Sequence, residues 1–282
     1  MRSFRLFAVV LTLFACIEGI WAQPSPASQS AFPRVTIPGS EIRQLISKET
    51  GRNYDLYIHI PSSYSQDTTR KYPVLYILDG QWDFKLMDSV LGGLVYDKFV
   101  PEIIMVGITY SGDNPDYNTL RAMDFTPVPR TDPKGSGDAP KFLKFLKAEL
   151  VPFIESNYRT DSSHRLLQGS SFGGLFTLYA LFSDPAFFSG YIAASPAVPF
   201  AERDMFSREA EYARAHKELP AKLYLAVGGA EQLTDPVKEF MQILSSRKYK
   251  GLRLEMRVID GERHAGNKPE TFNRGLRFLF SN

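Results

Sequence analysis

Cysteine is nearly absent from this chain of 282 residues, where Cys16 is the only one. A lone thiol cannot form a disulfide within the chain, and Cys16 lies in a segment that we expect to be removed by processing. The mature protein would then have no cysteine nucleophile and no thiolate ligand for a metal. This composition suits an oxidising compartment, where a free thiol is a liability.

An apolar run long enough to cross a bilayer is also lacking. The stretch from Leu6 to Ala15 follows Arg2 and Arg5 but has only about half the length of a transmembrane helix. A positively charged start followed by a short apolar segment is the layout of a secretory signal peptide. We therefore expect residues 1–22 to be a signal peptide, which leaves a periplasmic or secreted protein with no transmembrane span.

The segment after the expected cleavage site has little to pack. Residues 23–30 are rich in proline, serine, alanine and glutamine, so we expect a disordered leader followed by a single domain at residues 31–282. A competing interpretation concerns residues 13–16, which look like a lipoprotein processing box. Processing there would instead anchor the protein through a lipid on Cys16.

An excess of charge of either sign is missing as well. The chain has 33 basic and 31 acidic residues, which leaves a net charge of +2. Such a balance gives no reason to expect nucleic acid or an anionic membrane as a partner. Hydrophobic residues make up 44% of the sequence, enough to bury one substantial core. The function therefore has to be found in particular motifs.

The most informative motif is Gly-Ser-Ser-Phe-Gly at residues 169–173, which has the Gly-x-Ser-x-Gly spacing of a nucleophile elbow. A serine at the tip of a tight turn is exposed to substrate, and the glycines on each side leave room for the turn. The flanks fit, because residues 165–168 suit a buried strand and residues 172–182 suit an apolar helix. The motif predicts Ser171 as a nucleophile, with a glycine-rich packing turn as the alternative.

The rest of the chain predicts an α/β fold. Apolar and polar residues alternate over 42–47 and 54–60, which indicates an antiparallel hairpin. Two later apolar runs, 74–78 and 103–108, are continuous, as in parallel strands covered on both faces. Further strands are predicted over 165–168, 191–194, 222–227 and 252–259. Segments suited to helices lie between or after them: 86–99, 142–153, 172–182 and 272–280. We predict an α/β-hydrolase fold, a doubly wound, mostly parallel sheet that begins with the hairpin.

Two segments depart from this alternation. Residues 111–138 form a connection that is too long and too rich in proline and glycine to be a simple link. Long loops in compact domains are usually functional or mobile. Residues 195–220 contain a charged helical stretch between two strands, and we expect them to form a small cap.

A serine hydroxyl needs a base to become a nucleophile, and the chain has four histidines. Only His264 follows the last predicted strand, where the histidine lies in chains that order their triad as serine, acid, histidine. The others lie in a strand, ahead of the elbow strand and on the cap helix: His59, His164 and His216. We expect the acid after the strand 222–227, where Glu231 is preferred over Asp235, and a dyad without an acid stays open.

The oxyanion that forms during acyl transfer needs two N–H donors that are already in place. The backbone N–H of Phe172, directly after the nucleophile, is expected to be the first. For the second we choose the N–H of Gln81, in the loop after the strand 74–78, because Gly80 lets the backbone approach closely. This chemistry implies no metal and no organic cofactor.

Six stretches spread over most of the mature chain carry a family resemblance: residues 72–80, 121–127, 142–158, 167–179, 194–196 and 261–280. They resemble the "putative esterase" branch of the α/β-hydrolases. That branch includes siderophore trilactone esterases, S-formylglutathione hydrolase (esterase D), feruloyl and acetyl-xylan esterases, and mycolyltransferases. The likeness is strongest to the siderophore esterases, through the Leu-Asp-Gly turn at 78–80 and the Arg-x-x-Asp-x-Thr-Pro segment at 121–127.

By position, the resemblance implies Ser171 as nucleophile, His264 as base and Glu231 as acid. Two departures from the family pattern lie near the substrate pocket. Ser170 stands where relatives commonly have histidine or a larger residue, and residues 196–200 lack the paired aromatics often found there. Ser170 is therefore a candidate substrate contact.

Two arginines of the long loop, Arg121 and Arg130, are further candidates. They could bind an anionic siderophore or its iron complex, or they could anchor the loop to nearby carboxylates. The expected function is that of an exported serine esterase, which cleaves a small-molecule carboxylic ester, such as a siderophore trilactone, through an acyl-enzyme. The alternatives are a feruloyl or acetyl esterase acting on carbohydrate, an acyltransferase, and a binding protein without catalysis.

Overall fold

The computed structural model describes residues 35–281, so the predicted signal peptide and leader lie outside the described residues. One eight-stranded sheet organises this part of the chain, in the order β1-β2-β4-β3-β5-β6-β7-β8. Its strands are β1 (Ser40–Ile46), β2 (Asn53–His59), β3 (Tyr72–Ile77), β4 (Ile104–Tyr110), β5 (Thr160–Ser170), β6 (Gly190–Ala194), β7 (Lys222–Gly228) and β8 (Arg253–Ile259).

The strand pairing confirms the predicted mostly parallel sheet with an antiparallel start. Strands β1 and β2 form the hairpin, and β2 also pairs antiparallel with β4. Every other neighbouring pair is parallel. In β2 only alternate residues are fully buried, whereas every residue of β4 is buried, as expected for a strand covered on both faces.

Helices cover both faces of the sheet. They are α1 (Gly80–Tyr96), α2 (Tyr117–Phe125), α3 (Ala139–Phe145), α4 (Val151–Asn157), α5 (Phe172–Ser183), α6 (Phe200–Ala215), α7 (Thr234–Arg247) and α8 (Lys268–Phe280). Helices α1 and α8 pack together over one core, which includes Phe84, Leu91, Phe272 and Leu276. The opposite core is larger and richer in aromatics, and it includes Phe125, Phe142, Phe176 and Phe240.

Two predicted helices differ from those observed. Helix α1 starts at Gly80 rather than near residue 86, because Gly80 packs directly on Gly107; a Cβ at Gly80 would lie 2.8 Å from the Gly107 carbonyl carbon. The predicted helix 142–153 is split into α3 and α4 by a π-helical turn over Leu146–Leu150. Proline at the start of α4 fits this restart, because proline is tolerated only in the first turn of a helix.

The segment 111–138, predicted as a long loop, contains helix α2. Asp116 caps this helix by accepting a hydrogen bond from the Thr119 N–H at 3.1 Å. Near its other end, the fully buried Asp124 accepts from the Tyr54 hydroxyl at 2.8 Å and lies 3.1 Å from an Arg52 nitrogen. The first half of the segment is therefore an ordered element that is fastened to the core.

The predicted cap segment, 195–220, contains helix α6, which joins β6 to β7 and packs on α5. Buried Met205 and Glu209 hold α6 against the core, and Glu209 pairs with Arg247 at 2.7 Å. Residues 201–203 near its start have positive φ angles, so the chain changes direction there. Among residues 35–281, no helix is both long enough and apolar enough to cross a bilayer.

Candidate active site

Ser171 occupies the sharp turn between β5 and α5. Its φ of 60° and ψ of −118° are unusual for a residue other than glycine, and such strain persists only where the surroundings hold it in place. The Ser171 N–H donates to the Ala194 carbonyl at 2.9 Å. A Cβ at Gly169 would lie 2.3 Å from the Gly173 carbonyl, so the motif glycine there is required by close approach of strand and helix.

Glu231 and His264 follow the two strands at the far edge of the sheet. Their Oε2 and Nδ1 atoms are 2.6 Å apart. The Glu231 side chain is 4% exposed and that of His264 is 45% exposed, so a buried carboxylate meets an imidazole that reaches solvent. With its Nδ1–H donating to the carboxylate, the imidazole has Nε2 free to accept a proton. Glu231, and not Asp235, is thus the acid in contact with the imidazole.

The second oxygen of Glu231 has donors that the sequence analysis did not identify. Glu231 Oε1 accepts from the Ser195 Oγ at 2.5 Å and from the Gly228 N–H at 2.8 Å, and the Asn267 amide nitrogen lies 3.4 Å away. Residues 194–196 were part of the family resemblance, yet no local signal gave Ser195 or Asn267 a role. A carboxylate with this many donors is held in one orientation.

The backbone N–H groups of Gln81 and Phe172 lie in the first turns of α1 and α5. N–H groups in a first turn have no acceptor inside the helix, and in the described residues these two have no other backbone acceptor either. Strands β3 and β5 are parallel neighbours, so the two helices begin at the same edge of the sheet. Two N–H donors and two positive helix ends therefore lie at the sheet edge where Ser171 is found.

Arg121 links the loops that carry these two donors. Its Nε and Nη2 lie 2.9 and 2.7 Å from the two carboxylate oxygens of Asp79, which directly precedes α1. The same Nη2 donates to the Ser170 carbonyl at 3.3 Å. Burial opposes the charge of Arg121, but the Asp79 carboxylate outweighs it and raises the pKa of the guanidinium. Arg121 is 12% exposed, a position that favours loop anchoring over substrate contact.

The remaining predicted substrate contacts, Arg130 and Ser170, are not among the residues that line the cleft with Ser171 and His264. Arg130 forms an ion pair at 2.7 Å with Glu202 near the start of α6, and both side chains are exposed. Ser170 is 2% exposed, and its hydroxyl has no hydrogen-bond partner among the described residues. Because Ser170 is buried, a larger side chain at this position would need space from its neighbours.

A cleft of about 790 Å³ opens above the serine and the histidine. It is lined by Ser171, Ala197, the loop 229–235, Arg263 and His264. The Arg263 side chain is exposed, and its guanidinium makes no ion pair or hydrogen bond with any residue that the structure describes. Sequence reasoning missed Arg263, although it directly precedes the predicted histidine. Within residues 35–281, no cluster of three histidine, cysteine or acidic side chains could hold a metal ion.

A strand-turn-helix serine, a histidine after the last strand and a mostly parallel sheet define an α/β-hydrolase of the serine-hydrolase class. The family model described as "Putative esterase" matches residues 47–273. The chain therefore belongs to that family, and it is an esterase.

Named relatives point the same way. The ferri-bacillibactin esterase BesA of Bacillus subtilis is 30% identical over 264 residues, which cover 86% of this chain and 90% of the relative. Among solved structures, the BES protein from Bacillus cereus has a TM-score of 0.80 at 26% identity, covering 90% of this chain and 100% of that one. An IroE-like serine hydrolase from Shewanella oneidensis has a TM-score of 0.78 at 27% identity, covering 86% and 80%.

Proposed function

We propose that this esterase is exported and hydrolyses a siderophore ester through an acyl-enzyme on Ser171. The observation that carries the mechanism is the 2.6 Å contact between His264 and buried Glu231 in a cleft that also contains Ser171. A serine becomes a competent nucleophile only when an oriented base can remove its proton. That contact supports the assignment of His264 as the base and of Glu231 as the group that orients it.

The reaction would run in two halves. In the first, the Ser171 hydroxyl attacks the ester carbonyl while Nε2 of His264 takes its proton, and Glu231 stabilises the imidazolium. The oxyanion receives hydrogen bonds from the N–H groups of Phe172 and Gln81. His264 then gives its proton to the departing alcohol. In the second half, His264 activates a water molecule, which attacks the acyl group and releases the acid together with free Ser171.

The substrate proposal rests on two observations. BesA is named for ferri-bacillibactin, and a relative in Escherichia coli, 31% identical over 156 residues, is named apo-salmochelin esterase. The cleft of about 790 Å³ lies within the size range of ligand sites and opens to solvent. Arg263 adds an exposed positive charge beside His264, which would attract the anionic oxygens of a siderophore.

Hydrolysis assays on a small panel would test the function. We expect wild-type protein to cleave an aryl acetate and to cleave a trilactone siderophore much faster, with and without iron, while Ser171→Ala cleaves neither. A folded Ser171→Ala variant with full activity would refute the mechanism. If a feruloyl or acetylated sugar were cleaved faster than the siderophore, the substrate proposal would be wrong while the mechanism could stand.

Export is a separate part of the proposal, and it depends on the charged and apolar amino terminus. Export would be tested by measuring the molecular mass of the protein recovered from the periplasm or the medium. Cleavage after Ala22 predicts a mature chain that begins at Gln23, and lipid processing predicts a chain that begins at a modified Cys16. Recovery of an uncleaved chain in the cytoplasm alone would contradict export.

A further inference from the structure

A second connection links the histidine to its carboxylate, and it runs through two buried polar residues. The Ser195 Oγ donates to Glu231 at 2.5 Å, and the Asn267 Nδ2 donates to the Ser195 Oγ at 2.9 Å. The same Nδ2 lies 2.8 Å from the backbone oxygen of His264. The contacts close a ring, which we call the Asn267 ring, of Asn267, Ser195, Glu231 and His264. Both the side chain and the backbone of the histidine belong to it.

Each member of the ring has a defined hydrogen-bonding direction. The carbonyl oxygens of Arg263 and His264 can only accept, so the amide nitrogen of Asn267 is the atom that faces them. The amide oxygen in turn accepts from the Thr271 hydroxyl at 3.1 Å. Because Asn267 donates to the Ser195 oxygen, the one proton of that hydroxyl is left for Glu231. The carboxylate therefore presents its other oxygen, as an acceptor, to the imidazole.

Burial keeps water away from the hydrogen bonds of the ring. Ser195 and Asn267 are both fully buried, so water has no access to substitute for a lost partner. Ser195 has a φ of 42°, and its N–H donates to the Ala226 carbonyl at 2.7 Å. A residue other than glycine keeps such a backbone conformation only where several contacts hold it.

The ring also reaches the nucleophile through the backbone. Two backbone hydrogen bonds join Ser171 to the residues that flank Ser195 and Pro196. The Ser171 N–H donates to the Ala194 carbonyl, and the Ala197 N–H donates to the Ser171 carbonyl at 3.0 Å. One short segment thus contacts the serine, the acid and, through Asn267, the loop of the histidine. A change at Asn267 would alter the placement of the imidazole relative to Ser171.

We infer that Asn267 is a positioning residue for the esterase reaction, an inference that rests on the proposed function of Ser171, Glu231 and His264. It touches no substrate. Its amide holds the loop of His264 and orients the Ser195 hydroxyl, so that the imidazole keeps its position relative to Ser171. The loss of such supporting contacts typically lowers activity by about 10- to 100-fold.

The test compares Asn267→Ala, Ser195→Ala and the double variant on a neutral aryl ester, with active sites counted by a fluorophosphonate probe. We expect each single change to lower kcat per active site by about 10- to 100-fold while KM changes less than about twofold. Because both changes open the same ring, the double variant should lose little more than either single one. Thr271→Ala is the matched control: it removes a buried hydroxyl bonded to Asn267 but leaves the ring closed, so kcat should be kept.

The outcomes separate this inference from the function on which it rests. Suppose that the wild type is active and Ser171→Ala is inactive. An unchanged kcat in Asn267→Ala would then refute the positioning role but leave the proposed function intact. The positioning role would also be wrong if the fold-loss of kcat in the double variant equalled the product of the two single losses, because that result would mean that the two residues act independently. If Asn267→Ala does not fold, Ser195→Ala decides, since an unchanged kcat there refutes the ring. Ester hydrolysis by Ser171→Ala would instead remove the proposed function.

Discussion

Replacing Arg121 with lysine would show whether its ion pair with Asp79 holds the two proposed oxyanion donors, the N–H groups of Gln81 and Phe172, in place. Lysine keeps the positive charge but loses the two-pronged contact and the reach to the Ser170 carbonyl. Both side chains are nearly buried, and a hydrogen bond to a charged group is worth about 1.5–3 kcal/mol. We therefore expect the free energy of unfolding to fall by about 2 kcal/mol in Arg121→Lys. In Arg121→Ala it should fall by about 3–5 kcal/mol, because Asp79 is left as a buried, unpaired carboxylate.

The catalytic effect follows from the loops that Arg121 joins. Complete loss of one oxyanion donor typically lowers kcat by about 100- to 1,000-fold. Lysine should misplace the donors without removing them, so we expect a fall in kcat of about 10- to 100-fold with KM for a neutral ester unchanged. The substitution changes the loops before α1 and α5 together, and both donors are affected at once.

Urea unfolding and steady-state kinetics on a neutral and an anionic ester would measure both effects. A stability loss with an unchanged kcat would refute the idea that this ion pair places the donors. A rise in KM confined to the anionic ester would show that Arg121 contacts substrate instead. Arg130→Lys is a suitable control, because its ion pair with Glu202 is exposed and should contribute less than about 1 kcal/mol.

Three further predictions concern separate features. Arg263→Ala should raise KM about tenfold for an anionic ester but not for a neutral one, since one charged contact is lost; equal effects on both would contradict the anion contact. Burial, partly offset by the charge of Arg52, raises the pKa of Asp124 to about 6. The folded state therefore favours the neutral carboxyl, whose contribution to the free energy of unfolding is fully present below about pH 4 and is lost as the pH rises through 6. Between pH 4 and 7, wild type should lose up to about 3 kcal/mol relative to Asp124→Asn in urea unfolding, and parallel pH profiles would refute this. Gly169→Ala should cost about 3 kcal/mol or more by overpacking, whereas Gly92→Ala, with open space around its Cβ, should be neutral or stabilising; similar unfolding curves would count against a required close approach.

The sheet and the order of the candidate catalytic groups could be predicted because both depend on local patterns. Short runs rich in apolar residues marked the parallel strands, and parallel strands bring their carboxyl ends to one edge. Ser171, Glu231 and His264 each follow such a strand, so chain position alone placed them near one another. The structure adds the 2.6 Å contact between His264 and Glu231, which favours Glu231 over Asp235 as the candidate acid.

Other parts of the site could not be predicted, because they depend on contacts between distant parts of the chain. Ser195 and Asn267 are 72 positions apart and carry no local motif. For Arg121 the sequence left open substrate contact or loop anchoring, and its partner, Asp79, lies 42 positions away, where no local pattern could identify it. The early start of α1 likewise reflects tertiary packing, the close approach of Gly80 to Gly107, which overrides local helix preference.

Helix α8 links the completion of folding to the acquisition of activity. Asn267 directly precedes it and His264 lies in the same short loop, and the first residue of the helix, Lys268, forms an ion pair with buried Asp83 of α1 at 2.8 Å. Until α8 docks on α1 and the sheet, the imidazole has no fixed position, however complete the serine elbow is. In refolding experiments, esterase activity should therefore return no earlier than the docking of this helix. The time at which activity returns would set an upper limit on the time that the docking takes.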